Sequence, residues 1–251
     1  MQKFSANVNG NQFSGLQWGD SDKSIILALH GWLDNAASFI PVANYLEAKM
    51  SSDEFPYQII AIDLPGHGKS FHKAGHYHFV DWIDDIYQLI NSQNWQNITL
   101  LGHSMGAMIS SIFAATFPEL IKSVILIEGL GAISAKPEQT LAQLQRGIKS
   151  RIDYYPSTNE IPAKHVSLER VVKARCRISD LSAEHAKLIC NRNLTLSGEG
   201  FTWSSDAKLK SISLLRFTDK QVLNFLANIS MPCAIIKASQ GFPFISEVLE
   251  L

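Results

Sequence analysis

Over residues 4–18 apolar and polar positions alternate around Asn9-Gly10, a dipeptide suited to a tight hairpin turn, and the pattern predicts two antiparallel strands at one edge of a sheet. The rhythm then changes to short, unbroken apolar runs at residues 25–29, 57–62, 98–101, 124–127 and 234–237. Runs without alternation fit strands buried on both faces, so they predict a mostly parallel sheet with helices on each side, an α/β fold. Helical stretches separate the early runs, at 39–50, 79–93 and 107–117, the last stopped by Pro118. Between residues 128 and 232 the strand rhythm stops, and polar-apolar patterns at 139–152, 168–177 and 183–192 predict a helical insertion. In such sheets the reacting groups gather beyond the carboxyl ends of the strands, so an insertion leaving one of those ends would cover the site as a cap. The predicted organisation is a core over 1–131, a cap over 132–215 and the rest of the core over 216–251.

Composition narrows the partners more than the fold. The chain has 251 residues, 46% of them hydrophobic, and a net charge of -1, enough to bury one full core. Lys and Arg nearly balance Asp and Glu without a basic block, which speaks against nucleic acid. No run approaches the ~18 apolar residues of a membrane helix, and the polar start after Met1 argues against a secretory signal. Cys176, Cys190 and Cys233 have neither disulfide-framework nor zinc spacing. The expected setting is therefore the cytoplasm, with the cysteines as ordinary reduced thiols.

The candidate chemistry centres on Gly102-His103-Ser104-Met105-Gly106, placed after the run at 98–101 and before a small-residue helical stretch. Strand before and helix after make this G-x-S-x-G pattern a nucleophile elbow, with Ser104 the nucleophile and Gly102 and Gly106 allowing the turn and the close helix packing. The loop after the strand ending at Leu29 reads His30-Gly31-Trp32-Leu33-Asp34-Asn35, where Gly31 permits close backbone approach. The backbone N–H groups of Trp32 and Met105 are then the expected oxyanion donors. His30 and His103 are expected to support the loop and the elbow rather than to act as the base.

Asp63-Leu64-Pro65-Gly66-His67-Gly68-Lys69-Ser70 follows a further strand and reads on its own as a turn. Taken with the elbow and the oxyanion loop, it resembles the alpha/beta-hydrolase fold superfamily. His30-Gly31-Trp32-Leu33-Asp34-Asn35-Ala36-Ala37-Ser38-Phe39, Glu128-Gly129-Leu130-Gly131 and Trp203-Ser204-Ser205-Asp206 are similar to its serine hydrolase-like branch. The resemblance spans residues 13–241 and implies a triad in the chain order Ser, acid, His, a cap over the pocket, no cofactor and ester hydrolysis, and no metal ligands are expected among the site residues. The acid follows one of two strands in this fold. Glu128 ends the run at 124–127 and is the expected acid, with Asp206 and Asp219 as alternatives, because Ala238-Ser239-Gln240-Gly241 offers no carboxylate.

The histidine that the resemblance implies, after one more strand, has no counterpart: residues 239–251 are too few for a helix, a strand and a loop, and His185 is the last of the eight histidines. Two expectations follow, a shortened form of a longer enzyme or a base recruited from His165, His185 or a carboxylate. His72, His76 and His78 are expected to face solvent or the cap. A sheet without its last strand would also expose an edge suited to self-association. The expected function is a carboxylesterase that acts on small to medium esters through an acyl-enzyme on Ser104, with carbon-carbon hydrolase, acyltransferase and non-catalytic binder as the other readings. The serine disfavours dehalogenase and epoxide hydrolase chemistry, which use an aspartate nucleophile on this fold.

Overall fold

The structure, a computed structural model, describes residues 1–49, 55–152, 154, 167–198, 200–241 and 243–250. Strands β1 (Gln2–Val8) and β2 (Asn11–Trp18) form the predicted hairpin, and its turn residues Asn9 and Gly10 both have positive φ, 52° and 84°, as a type I′ turn requires. β3 (Ser24–Leu29) leads through a single 3-10 turn at Ala36–Phe39 into α1 (Ile40–Lys49). β4 (Tyr57–Ile62), α2 (Phe79–Ser92), β5 (Ile98–His103), α3 (Met105–Thr116) and β6 (Ile121–Ile127) follow. Three helices come next, α4 (Thr140–Ile152), α5 (Leu168–Arg177) and α6 (Ala183–Asn193). A small hairpin of β7 (Leu194–Ser197) and β8 (Gly200–Trp203) precedes α7 (Asp219–Ala227), β9 (Cys233–Ile236) and α8 (Pro243–Glu250).

Seven strands form one sheet in the order β1-β2-β4-β3-β5-β6-β9, parallel from β4 to β9 and antiparallel at the β1-β2 edge. Neighbouring residues in a strand face opposite sides. Leu27, Leu29, Ile60, Ile62 and Leu100 therefore pack with Ile86 and Leu89 of α2 and with Ile109 and Phe113 of α3. Ile26, Ala28, Ile59, Ala61 and Leu101 pack on the other face with Trp18, Phe39 and Ala43 of α1. Apolar runs without alternation are what two covered faces demand.

The insertion differs from the all-helical expectation, because β7 and β8 pair as a separate two-stranded sheet. Its signal was there in short form: Leu194-Thr195-Leu196-Ser197 and Gly200-Phe201-Thr202-Trp203 alternate, and Gly198, at φ 60°, lies between them. Four residues a side are too few for such a pattern to stand out beside long helices. β9, at the end of the sheet, is exposed along all four residues. No helix among the described residues is long and apolar enough to cross a membrane.

The tightest packing lies where α3 crosses the sheet. A Cβ on Gly106 would overlap the carbonyl of Leu29, whereas one on Gly75 would meet nothing within 4 Å. Gly106→Ala should therefore destabilise the fold by about 3 kcal/mol, lowering Tm by roughly 10 °C, while Gly75→Ala should leave Tm within about 2 °C. Thermal melts of the two variants beside the parent check this, and equal melting of all three would refute the packing argument.

Candidate active site

Ser104 sits between β5 and α3 with φ 51° and ψ -117°, a backbone conformation that L-residues avoid. Its surroundings force it. The Ser104 N–H donates to the Ile127 carbonyl at the end of β6 (2.8 Å), and the Ser104 carbonyl accepts from Ala107 and Met108 in the first turn of α3 (3.0 Å each). Substituting Gly102 would drive a Cβ into Ala107, and substituting Gly129 would drive one into the Ser104 carbonyl. The side chain of Ser104 is partly exposed at the carboxyl edge of the sheet, and Met105, behind it, is buried.

The loop after β3 reaches this turn directly. The ideal Cβ position on Gly31 lies 3.2 Å from His103 Nδ1, 3.3 Å from Asp34 Oδ2 and 3.4 Å from Ser104 Cβ, so a side chain at residue 31 would press on His103 and Asp34 and touch Ser104. The Asp34 N–H donates to the Gly31 carbonyl (3.1 Å), closing a turn that carries Trp32 and holds Leu33 at φ 59°. Trp32 is half exposed, and its indole N–H donates to the Leu209 carbonyl (3.1 Å).

His30 is wholly buried with both ring nitrogens engaged. Its Nε2 accepts from the Leu64 N–H (3.0 Å) and its Nδ1 lies 2.7 Å from the Gly31 carbonyl, so it is neutral with the proton on Nδ1. Burial pushes its pKa down to about 4. It pins the loop after β3 to the loop after β4. His67, edge-on to His30 with ring centroids 5.0 Å apart, is also buried, and burial pushes its pKa down to about 3, with His30 adding to the effect.

Asp63, which on sequence read as part of a turn, is a buried hub. Its carboxylate accepts from the N–H groups of Ala36 (2.8 Å) and Lys69 (2.7 Å) and from Arg192 of α6, with Nε at 2.8 Å and Nη2 at 2.8 Å. The pairing was invisible in sequence because Arg192 lies 129 residues away. Two further contacts bring the insertion onto the loop after β3: Arg175 Nη2 donates to Asp34 Oδ1 (2.5 Å), and Asn35 Nδ2 donates to the Ile189 carbonyl (2.9 Å).

Glu128, at φ 50°, directly follows β6, and its N–H donates to the Ile236 carbonyl of β9 (2.9 Å). Its carboxylate accepts from the Ala238 N–H in the loop after β9 and lies against Gly241, where a Cβ would overlap it. The other acid candidates are engaged elsewhere. Asp206 accepts from the Tyr77 hydroxyl (2.9 Å) and pairs with Lys208 (3.3 Å), and Asp219 accepts from Ser134 (2.5 Å). His72 contacts the Ser204 carbonyl (2.9 Å), His78 contacts Arg151 (3.3 Å), His76 is partly buried between them in sequence, and His185 is exposed near the start of α6. His165 lies outside the described residues. Among the described residues no cluster of three or more His, Cys, Asp or Glu is arranged to hold a metal, and the three cysteines are free.

The family model for the alpha/beta hydrolase fold matches residues 24–174, which include the loop after β3, the turn at Ser104 and Glu128. The chain belongs to the alpha/beta hydrolase fold family. Within this family it falls in the serine hydrolase-like branch. It is 30% identical over 250 residues to a probable serine hydrolase of Drosophila melanogaster, covering 97% of this chain and 73% of that one. A hypothetical protein of Pseudomonas aeruginosa superposes with a TM-score of 0.88 at 30% identity, over 100% of this chain and 87% of that one. The thioesterase domain from the curacin biosynthetic pathway superposes with a TM-score of 0.81 at 27% identity, over 100% and 88%.

The two buried histidines of this hydrolase set a pH dependence. Each stays neutral in the folded chain while its unfolded counterpart takes up a proton below about pH 6.5, so the stability they contribute is present above that pH and is lost as pH falls toward 4. Asp85, whose carboxyl burial pushes up to about 6, works in the opposite direction over part of the range. Between pH 7.5 and pH 5 the stability loss in His67→Phe should be smaller than in the parent by about 2 kcal/mol. Urea unfolding at both pH values measures it, and an identical loss in the two proteins would refute the assignment of a neutral buried ring.

Proposed function

We propose that this hydrolase is a carboxylesterase that acts on small to medium acyl esters, with Ser104 as nucleophile and residues 132–215 as a cap over the pocket. The observation that carries the reading is the strained Ser104 backbone at the β5-α3 junction, directly against Gly31 of the loop after β3. Strain of this kind persists only where surrounding packing over-determines it, and here it presents a hydroxyl at the sheet edge where substrates of α/β folds bind.

In the proposed mechanism Ser104 Oγ attacks the ester carbonyl and gives its proton to a base. The carbonyl oxygen becomes an oxyanion, held by the N–H groups of Trp32 and Met105. As the tetrahedral intermediate collapses, the C–O bond to the alcohol breaks and the alcohol leaves with that proton. Water then repeats the sequence on the acyl-enzyme, releasing the acid and restoring Ser104. Glu128 would orient the base and stabilise its charged form. His30 does not fill the base role, because both of its nitrogens are engaged within the fold.

A second reading has a specific observation in its favour, the full-length similarity at 27% identity to a thioesterase domain. The same acyl-enzyme would form from a thioester, with a thiol as the leaving group. Parallel rates on a p-nitrophenyl ester and an acyl thioester of equal chain length separate the two, and a preference for the thioester would overturn the esterase reading.

Intact-mass analysis after fluorophosphonate treatment should show one adduct, absent in Ser104→Ala, together with turnover of p-nitrophenyl acetate and butyrate. Glu128→Gln should lower kcat by about 10²-fold or more. Turnover that survives in both His165→Ala and His185→Ala would remove those two as the base, and loss in one would identify it. A folded chain that neither labels nor turns over would favour a binding role instead.

A further inference from the structure

We propose that Arg175 is a positioning residue for catalysis: its guanidinium, supplied by the insertion, neutralises the Asp34 carboxylate beside the oxyanion loop and so keeps negative charge away from the developing oxyanion. The inference rests on Ser104 being the nucleophile.

Asp34 has two roles in the structure. Its N–H closes the Gly31–Asp34 turn that carries the Trp32 amide (3.1 Å), and its Oδ2 folds back to 3.3 Å from the Cβ position of Gly31, a point itself only 3.4 Å from Ser104 Cβ. A buried carboxylate in that place is electrostatically wrong for the reaction. The oxyanion of the tetrahedral intermediate forms within a few ångströms of the same turn, and in a site of low dielectric an uncompensated negative charge would raise its energy. Arg175 of α5 supplies the compensation, with Nη2 2.5 Å from Oδ1 and most of both side chains out of solvent. The environment of the carboxyl group fits this account. Burial pushes its pKa up, with Arg175 and then His103 pulling it back toward the charged form. The Asp34 N–H closes the turn, and Arg175 makes the charge of its side chain tolerable.

A mechanical latch between insertion and loop would use the same contact, and the two roles predict different behaviour in a double variant. If Arg175 only holds the loop, removing Asp34 as well restores nothing. If it neutralises charge, removing both charges restores catalysis.

The experiment takes the full chain and its Arg175→Met, Arg175→Lys, Asp34→Asn and Asp34→Asn/Arg175→Met variants, each assayed well below its own Tm. The rate of fluorophosphonate labelling is measured with kcat and KM on p-nitrophenyl butyrate. Arg175→Met is expected to lose about tenfold or more in kcat and labelling rate with KM within about twofold, and Arg175→Lys and the double variant are expected to recover most of the loss. A double variant as slow as Arg175→Met, or a loss confined to KM, overturns the proposal. A labelled parent whose Arg175→Met variant reacts equally fast overturns it alone, while an unlabelled parent overturns the serine-hydrolase reading and this inference together.

Discussion

The conformation of one residue organises the centre of this molecule. Ser104 occupies a backbone region that costs roughly 1–3 kcal/mol for an L-residue, so the chain stays there only because alternatives are blocked. The blocks are specific. Its N–H is tied to the end of β6, its carbonyl is tied to the start of α3, and α3 lies so close to β3 that only glycine fits at residue 106. Each tie belongs to a different strand or helix, so β3, β5, β6 and α3 must be in register before the turn can exist. The turn at Ser104 is therefore a readout of correct sheet assembly rather than a local loop feature.

Asp63 does a comparable job on the other side of the site. A carboxylate with no solvent exposure is expensive unless its oxygens are filled, and here two backbone N–H groups and an arginine fill them. Ala36 belongs to the turn after β3, Lys69 to the loop after β4, and Arg192 to α6 of the insertion. Removing Arg192 would leave the buried charge without a counter-ion, and removing either N–H would leave an oxygen under-bonded, so the three segments are coupled. His30 reinforces the coupling by bridging Gly31 and Leu64. The loop after β3 is thus held from the core and from the insertion at once.

What could be read from sequence divides along the same physical line. The sheet was legible because residues with two covered faces produce unbroken apolar runs, and the hairpin because Asn9-Gly10 suits a turn with positive φ at both positions. The strand-to-helix turn at Ser104 was legible because its glycines stand at fixed offsets from the serine. The β7-β8 hairpin was missed because four-residue strands give too short an alternation. Asp63 and Arg192, like Asp34 and Arg175, could not be paired because a charge partner 129 or 141 residues away leaves no local pattern. Strand positions declare themselves through periodicity, but the ion pairs that join the insertion to the site declare themselves only in three dimensions.

The placement of Glu128 follows from the sheet order. β6 and β9 are parallel neighbours with Ile127 opposite Ile236, so their carboxyl ends open at the same height. A carboxylate carried past the end of either strand then stands at the same carboxyl edge of the sheet as Ser104. In this chain the loop after β9 supplies no carboxylate, and it supplies instead an N–H at Ala238 and the bare Cα of Gly241, which together make room for the Glu128 side chain and bind it. Left-handed backbone at Glu128 and its N–H bond to Ile236 aim the residue across the β6-β9 boundary rather than up into solvent. In the proposed mechanism the acid therefore belongs to two strands: β6 carries the carboxylate, and β9 carries the groups that hold it where a base beside Ser104 would need it.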